Sequence, residues 1–346
     1  MYDYFTLVAV ICSMSILANC LLLYLTTRNC STTTDPCRKL LLATPIVDFI
    51  YAVSFLLIAP VPISREFTFV FLSTGPAYTW WPHGMIFIIF LCLTTMATLV
   101  FVGNNFLYRY ITLCRSNLAY IYSSYKHLIV GALINSLFVI NWLAMIYYGL
   151  WPSEQFVIQA QKVWNGSINV NRKVYIGVSN LGGADPIKMA VFIESLIMLL
   201  CVAQVSPFCA LQIHRSLKSN LLSRRTKEAH RKMLILLSIQ IICPMLLMNL
   251  PLSMMYFMFF TGLESPVILN YFSGIAMALY PLVTPIITIL FVKDYRRQCL
   301  VTLHVIDKPT ASVLPVTTTF KTMSTAINSF TKHSKKCESS NIMYNG

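Results

Sequence analysis

Two acids, one arginine and a line of prolines are the residues whose chemistry most needs a setting. Asp48 and Glu194 each lie in a long apolar run that holds no other charge. An ionisable group at membrane depth is expensive and faces a bundle interior, a cavity or a partner, so both are candidate functional groups. Asp48 lies nine residues in from the side that carries Arg38 and Lys39. That depth suits a polar network biasing two helix arrangements better than a ligand contact. Glu194 lies nearer the other end of its run, where ligand contact, loop anchoring and interfacial exposure are all open. Pro244, Pro251, Pro281 and Pro285 also fall inside apolar runs. Each removes one backbone donor and permits a kink. Pro244 and Pro251 could let one half of their helix swing and open a cleft, although membrane helices also tolerate proline without such a role. Arg109 is the first fixed charge after a stretch, Gly84 to Leu107, without Asp, Glu, Lys or Arg.

No catalytic or metal-binding set accompanies them. The six histidines (83, 127, 214, 230, 304 and 333) are scattered, and the eleven cysteines show no paired ligand spacing. Most cysteines fall inside apolar runs, where they act as small buried side chains. No enzyme activity, metal or cofactor is expected, and no inverted repeat of the transporter kind is found.

The elements that position these residues are set by composition. The chain is 57% hydrophobic and 11% charged, against roughly 25% charged residues in soluble domains. It is therefore read as an integral membrane protein. The net charge of +14 is interleaved with apolar runs, which fits membrane topology and not nucleic-acid binding. An α-helix needs about 20 apolar residues to cross a bilayer. Seven stretches qualify, at about 4–25, 40–63, 84–107, 128–151, 189–213, 233–260 and 266–292. The expected fold class is an all-α seven-transmembrane helix bundle, over about residues 1–300.

Lysine and arginine bias orients it. The loops after the first, third and fifth spans, with the tail, hold 21 of these residues, and the other side holds five. The basic side faces the cytosol, so the N-terminus is expected outside and Arg109 inside. Asn165 of Asn165-Gly166-Ser167 then becomes a glycosylation acceptor. The loop between spans five and six carries Arg224, Arg225, Arg231 and Lys232 among seven basic residues. Attraction to inner-leaflet lipids of about 1 kcal/mol per basic residue accounts for part of this, and a docking partner would use the same charges. Residues 293–309 show helical spacing of Tyr295, Cys299, Leu303 and Ile306 and are expected to lie on the inner leaflet, with Cys299 a palmitoylation candidate. Residues 310–346 are expected to be a disordered cytosolic tail.

With the spans in place, four stretches resemble the nematode serpentine chemoreceptors of the Str superfamily, which are seven-transmembrane G-protein-coupled receptors. They are Asn105-Phe106-Leu107-Tyr108-Arg109-Tyr110, Arg224 to Arg231, Gln240-Ile241-Ile242-Cys243-Pro244, and Tyr280-Pro281-Leu282-Val283-Thr284-Pro285 through Arg296. The resemblance implies a rhodopsin-like fold and a chemosensory receptor in the plasma membrane of neuronal cilia. Such a receptor would bind an external odorant or pheromone and activate a heterotrimeric G protein. It further implies coupling through Tyr108, Arg109 and Tyr110 and the basic loop, while Asp48 and the four prolines, on their own chemistry, are the expected conformational switches. Tyr108 stands where an acid usually precedes the arginine, so the resting state must be held by something other than an adjacent carboxylate. No cysteine lies near the start of span three or between Pro152 and Pro186, so no extracellular disulfide is expected. Tyr147, Tyr148, Glu194, Tyr256 and Tyr271, in the outer halves, are candidate contacts for a small, mostly apolar ligand. Dimerisation is compatible with this reading. A ligand-gated cation channel subunit of the odorant-receptor kind is the alternative, but its N-terminus would lie inside, against the basic-residue count.

Overall fold

The computed structural model describes residues 2–28, 35–80, 82–118, 120–163, 174–180, 186–219, 235 and 238–302. Seven helices form the bundle: α1 (Tyr2–Arg28), α2 (Asp35–Ile58), α3 (Gly84–Cys114), α4 (Tyr125–Met145), α5 (Pro186–Ser219), α6 (Ser238–Thr261) and α7 (Val267–Phe291). Six are long and apolar enough to cross a membrane, and α2 contributes a shorter apolar stretch, Leu42–Ile58. A final helix, α8 (Lys293–Thr302), returns toward α1. Its Tyr295 and Cys299 pack with Leu22 and Leu25.

Helix boundaries differ from the sequence expectation in two places that matter. The third helix does not stop at Leu107 but runs through Cys114. No proline or glycine interrupts it after Gly103, so the charges of Arg109 ride on a continuing helix. The second helix stops at Ile58, and the stretch expected to finish it, Pro60 to Ile63, is a β-strand instead. Ala59 takes a positive φ of 40°, and the prolines that follow cannot extend a helical ladder.

That strand, β1 (Pro60–Arg65), pairs antiparallel with β2 (Thr68–Ser73), and β2 pairs with β3 (Tyr175–Ser179) from the long polar segment. The result is a three-stranded sheet in the order β1-β2-β3 at the N-terminal end of the bundle. Glu66 and Phe67 form its two-residue turn, with φ of 47° and 54°. A two-residue hairpin needs positive φ at both positions, which Asn-Gly usually supplies. Here the connection between α6 and α7 braces it. Ser64 and Ser265 exchange hydrogen bonds through the Ser64 N–H, the Ser265 N–H and the Ser265 hydroxyl, at 2.8–3.0 Å. Phe67 lies against Gly262, where a Cβ would come within 2.6 Å of its ring.

The sheet has two occupied faces, as strand alternation requires. Val70, Leu72 and Tyr175 pack under Phe156, Ala160 and Val163 of a short amphipathic helix, Glu154–Val163. Burial there pushes the Tyr175 phenol up to about 12. Phe71, Ile176 and Val178 turn the other way and join the main core with Met85, Leu150 and Phe259. Gly177 sits where a side chain would strike the Phe69 carbonyl and the Phe156 ring. Gly177→Val is therefore expected to destabilise the sheet by about 1–3 kcal/mol, the range for overpacking, and to lower cell-surface display measured with an N-terminal epitope tag.

Both prolines of α7 are answered by neighbouring helices. A proline at position i leaves the carbonyl of residue i−4 without its helical donor. Pro285 thus frees the carbonyl of Pro281, which accepts a 2.7 Å hydrogen bond from Asn19 Nδ2 of α1. Pro281 frees the carbonyl of Met277, which accepts from the Tyr51 hydroxyl of α2 at 3.4 Å. The broken ladder of α7 is completed from outside.

Candidate functional site

Successive residues on an α-helix point about 100° apart, so a run of polar residues at one helix end reaches several neighbours. The inner end of α3 does this. Asn104 donates to Asn135 Oδ1 of α4 at 3.0 Å, and Asn105 donates to the Thr44 hydroxyl of α2 at 3.5 Å. Phe106 is buried with Cys209 and Ile213 of α5 and Ile241 of α6. Tyr108 meets Tyr122 edge-on, with ring centroids 4.8 Å apart, in the connection to α4. Arg109 points at α6, where its Nη1 donates to Gln240 Oε1 at 3.0 Å. Four neighbouring helices, α2, α4, α5 and α6, are touched from this one segment.

The Arg109–Gln240 bond ties the inner ends of two helices together. It joins α3 to α6 across 131 residues of chain and is only partly buried. A hydrogen bond to a charged group is worth about 1.5–3 kcal/mol net. That is enough to bias two helix arrangements and small enough for a partner to displace. Burial, with Cys209 and Tyr108 nearby, pushes the Tyr122 phenol up to about 12, so it stays neutral at physiological pH and supplies no counter-charge. The group that Arg109 meets on α6 is an amide. Gln240 also lies four residues before Pro244, so the backbone of α6 loses a helical bond at its carbonyl. Immediately beyond, Met245–Asn249 is a π-helical turn that leads into Pro251. Helix α6 is therefore widened and short of donors just above the point where Arg109 grips it.

Asp48 is 2% exposed, and its Oδ2 has no hydrogen-bond partner among the described residues. It sits on α2 one turn below Tyr51, whose ring meets Tyr280 of α7 edge-on at 6.3 Å. Asp48 and the bonds made to α7 by Asn19 and Tyr51 thus lie where α1, α2 and α7 meet.

The five candidate ligand contacts do not converge. Tyr147 and Tyr148, in the turn that follows α4, are 62% and 60% exposed; their rings meet edge-on, and Tyr147 also lies against Trp151. They face away from the bundle because the π-turn Ile146–Leu150 directs Ile146, Gly149 and Leu150 inward in their place. Tyr271 stacks on Tyr4 between α7 and α1. Tyr256 shares a hydrogen bond of 3.2 Å with Ser195 and stacks on Phe192, joining α6 to α5. Glu194 is exposed toward α4 and accepts a 2.7 Å hydrogen bond from Asn141. Asn165, Arg224, Arg225, Arg231 and Lys232 lie outside the described residues, as does the tail from residue 303.

The sequence reading assigned no role to Gln240, Asn19, Tyr51 or Asn141. A signal existed: each except Tyr51 is a strongly polar side chain in a charge-poor apolar run, where an unpaired amide is costly.

A seven-helix membrane bundle with an arginine at the inner end of its third helix, held by its sixth, and a proline-broken seventh helix defines the class of serpentine receptors. The chain belongs to the serpentine type 7TM GPCR chemoreceptor Str family, which it matches over residues 4–300. It is 23% identical over 301 residues to the G-protein coupled receptor str-33 of Caenorhabditis elegans, covering 82% of this chain and 85% of that one. The family is one of chemosensory receptors, not of enzymes, and its members are multi-pass membrane proteins. Membership favours the receptor reading over the channel subunit.

Proposed function

We propose that the chain is a chemosensory receptor of the plasma membrane, at the cilia of sensory neurons, which binds an external small molecule and activates a heterotrimeric G protein. The observation that carries this reading is the Arg109–Gln240 bond between α3 and α6. In the resting arrangement Gln240 holds Arg109 and keeps the inner ends of the two helices together. A ligand that binds the open arrangement more tightly shifts the population by its difference in affinity. Helix α6 then swings at the Pro244–Pro251 segment, and Arg109 is released to the G protein together with Tyr108, Tyr110 and the basic loop. Asp48, Pro281 and Pro285 set the register of α2 and α7 about which the movement occurs.

The test is to remove the brace and leave the arginine. Gln240→Leu keeps the volume and deletes the acceptor. If the bond contributes about 1.5 kcal/mol to the resting state, the active fraction rises about tenfold. Basal output in cells reporting cAMP, cGMP and calcium should rise accordingly. Unchanged basal signalling at equal surface expression would remove the brace from the mechanism. A ligand screen in the same cells tests the chemosensory role itself.

A further inference from the structure

The end of the bundle at which an external molecule would arrive is covered. Phe71, Ile176 and Val178 of the sheet are buried in one core with Met85 and Phe259, and the Tyr4 hydroxyl is bonded to the Pro60 carbonyl at 2.7 Å. One opening faces sideways. A groove of about 680 Å³ lies between α4 and α5, lined by Phe138, Ala190, Ile193, Glu194, Ile197, Met198 and Cys201. Ligand sites for drug-sized molecules span about 300–1,000 Å³.

The groove has one charged group and an apolar remainder. Glu194 lies eight residues below Pro186, about 12 Å along the helix at a rise of 1.5 Å per residue. One carboxylate oxygen is oriented by Asn141 Nδ2, which also touches the Met198 sulfur at 3.2 Å. The side chain is exposed, so an acid stands on the outward surface of a candidate membrane span, Pro186–Ser216, toward its outer end, with a hydrogen-bond partner fixing its direction. Such a group is retained at a cost unless something reaches it. Below it, Ile197, Met198 and Cys201 continue the apolar wall toward the bilayer centre.

We propose that this groove takes an amphiphile from the outer leaflet: an apolar chain lying along Ile197 and Cys201, with one hydrogen-bond-donating head, an alcohol or an amine, donating to Glu194. Charge complementarity selects the head, because a carboxylate or phosphate head would meet Glu194 as a like charge. The ligand therefore enters from the membrane and not through the sheet. This rests on the receptor reading above and names its ligand class and route.

The full-length receptor in lipid nanodiscs is exposed to hexadecanol, hexadecylamine and hexadecanoic acid, each with a mid-chain diazirine, and the cross-linked peptides are mapped. The alcohol or the amine should label the segments 138–141 and 190–201, with competition by the unlabelled compound, while the acid labels them at least about tenfold less, the scale of one charge-assisted hydrogen bond. Glu194→Ala should lower the labelling by a similar factor. Phe138→Trp, which fills the groove and spares the acid, should lower it as well. Equal labelling by the acid, undiminished labelling in both variants, or cross-linking of these segments to a second receptor copy in place of the probe would overturn the proposal. If one variant fails to reach the membrane, the other and the acid comparison still decide. The two readings fail separately: Arg109 variants that lose G-protein activation should still be labelled, and a groove that takes no label leaves Arg109-dependent signalling untouched.

Discussion

Arg109→Ala is expected to abolish ligand-evoked G-protein activation while the receptor still reaches the cell surface. The side chain sits at the inner end of α3, partly buried, and bonds Gln240. Alanine keeps the helix, because it has the highest helix propensity of all residues and position 109 lies inside α3, before its end at Cys114. It removes the resting brace and, on the proposed mechanism, the charge offered to the G protein. Loss of a charge-assisted contact of about 1.5–3 kcal/mol lowers coupling by about ten- to 150-fold. Arg109→Lys should recover part of it, since an ammonium keeps the charge but lacks the planar fork. The contrast with Gln240→Leu is the informative part. Both substitutions break the same bond, yet one should silence the receptor and the other should raise its basal output. The check is a dose-response measurement with matched surface labelling. Full-strength evoked signalling in the alanine variant would show that Arg109 is only a structural residue of the α3–α6 contact.

How far the sequence foretold this site depends on whether a residue's role is set along the chain or across it. Seven apolar runs and the basic bias follow from bilayer thickness and loop charge, which are local properties, and they were legible. So was the absence of an acid before Arg109, because Tyr108 is simply read at its position. That Arg109 bonds Gln240 was not legible, since it depends on the rotation of α6 against α3. The sheet was missed for a similar reason. Glu66-Phe67 carries no turn signal, and it adopts positive φ because Ser265 and Gly262, some 200 residues on, hold it there. Tyr147 and Tyr148 were placed in a ligand site by residue type alone, whereas the π-turn at Ile146–Leu150 decides which way they face.

The answer that α1 gives to the prolines of α7 leads to the second large effect. Asn19 is 1% exposed, and its amide donates to the Pro281 carbonyl, which lost its helical donor to Pro285. The amide oxygen has no partner among the described residues, so Asn19 is held there as a donor. Asn19→Leu keeps the approximate volume but leaves that carbonyl buried and unpaired, which is worth about 1–3 kcal/mol. Against a total stability of about 5–15 kcal/mol, this should sharply lower surface display and thermal stability in detergent. Pro285→Ala restores an N–H at position 285 and lets α7 pair the same carbonyl within its own ladder. In the Asn19 background the proline substitution should therefore repair most of the loss. Alone it should gain little, because the carbonyl is already satisfied. The double-mutant cycle thus has a predicted sign: the pair is more stable than the sum of the single changes by at least about 1 kcal/mol. Additive losses would mean that Asn19 acts by packing alone. A rescued receptor that displays normally but no longer responds to ligand would assign the proline break of α7 to signalling and Asn19 to its maintenance.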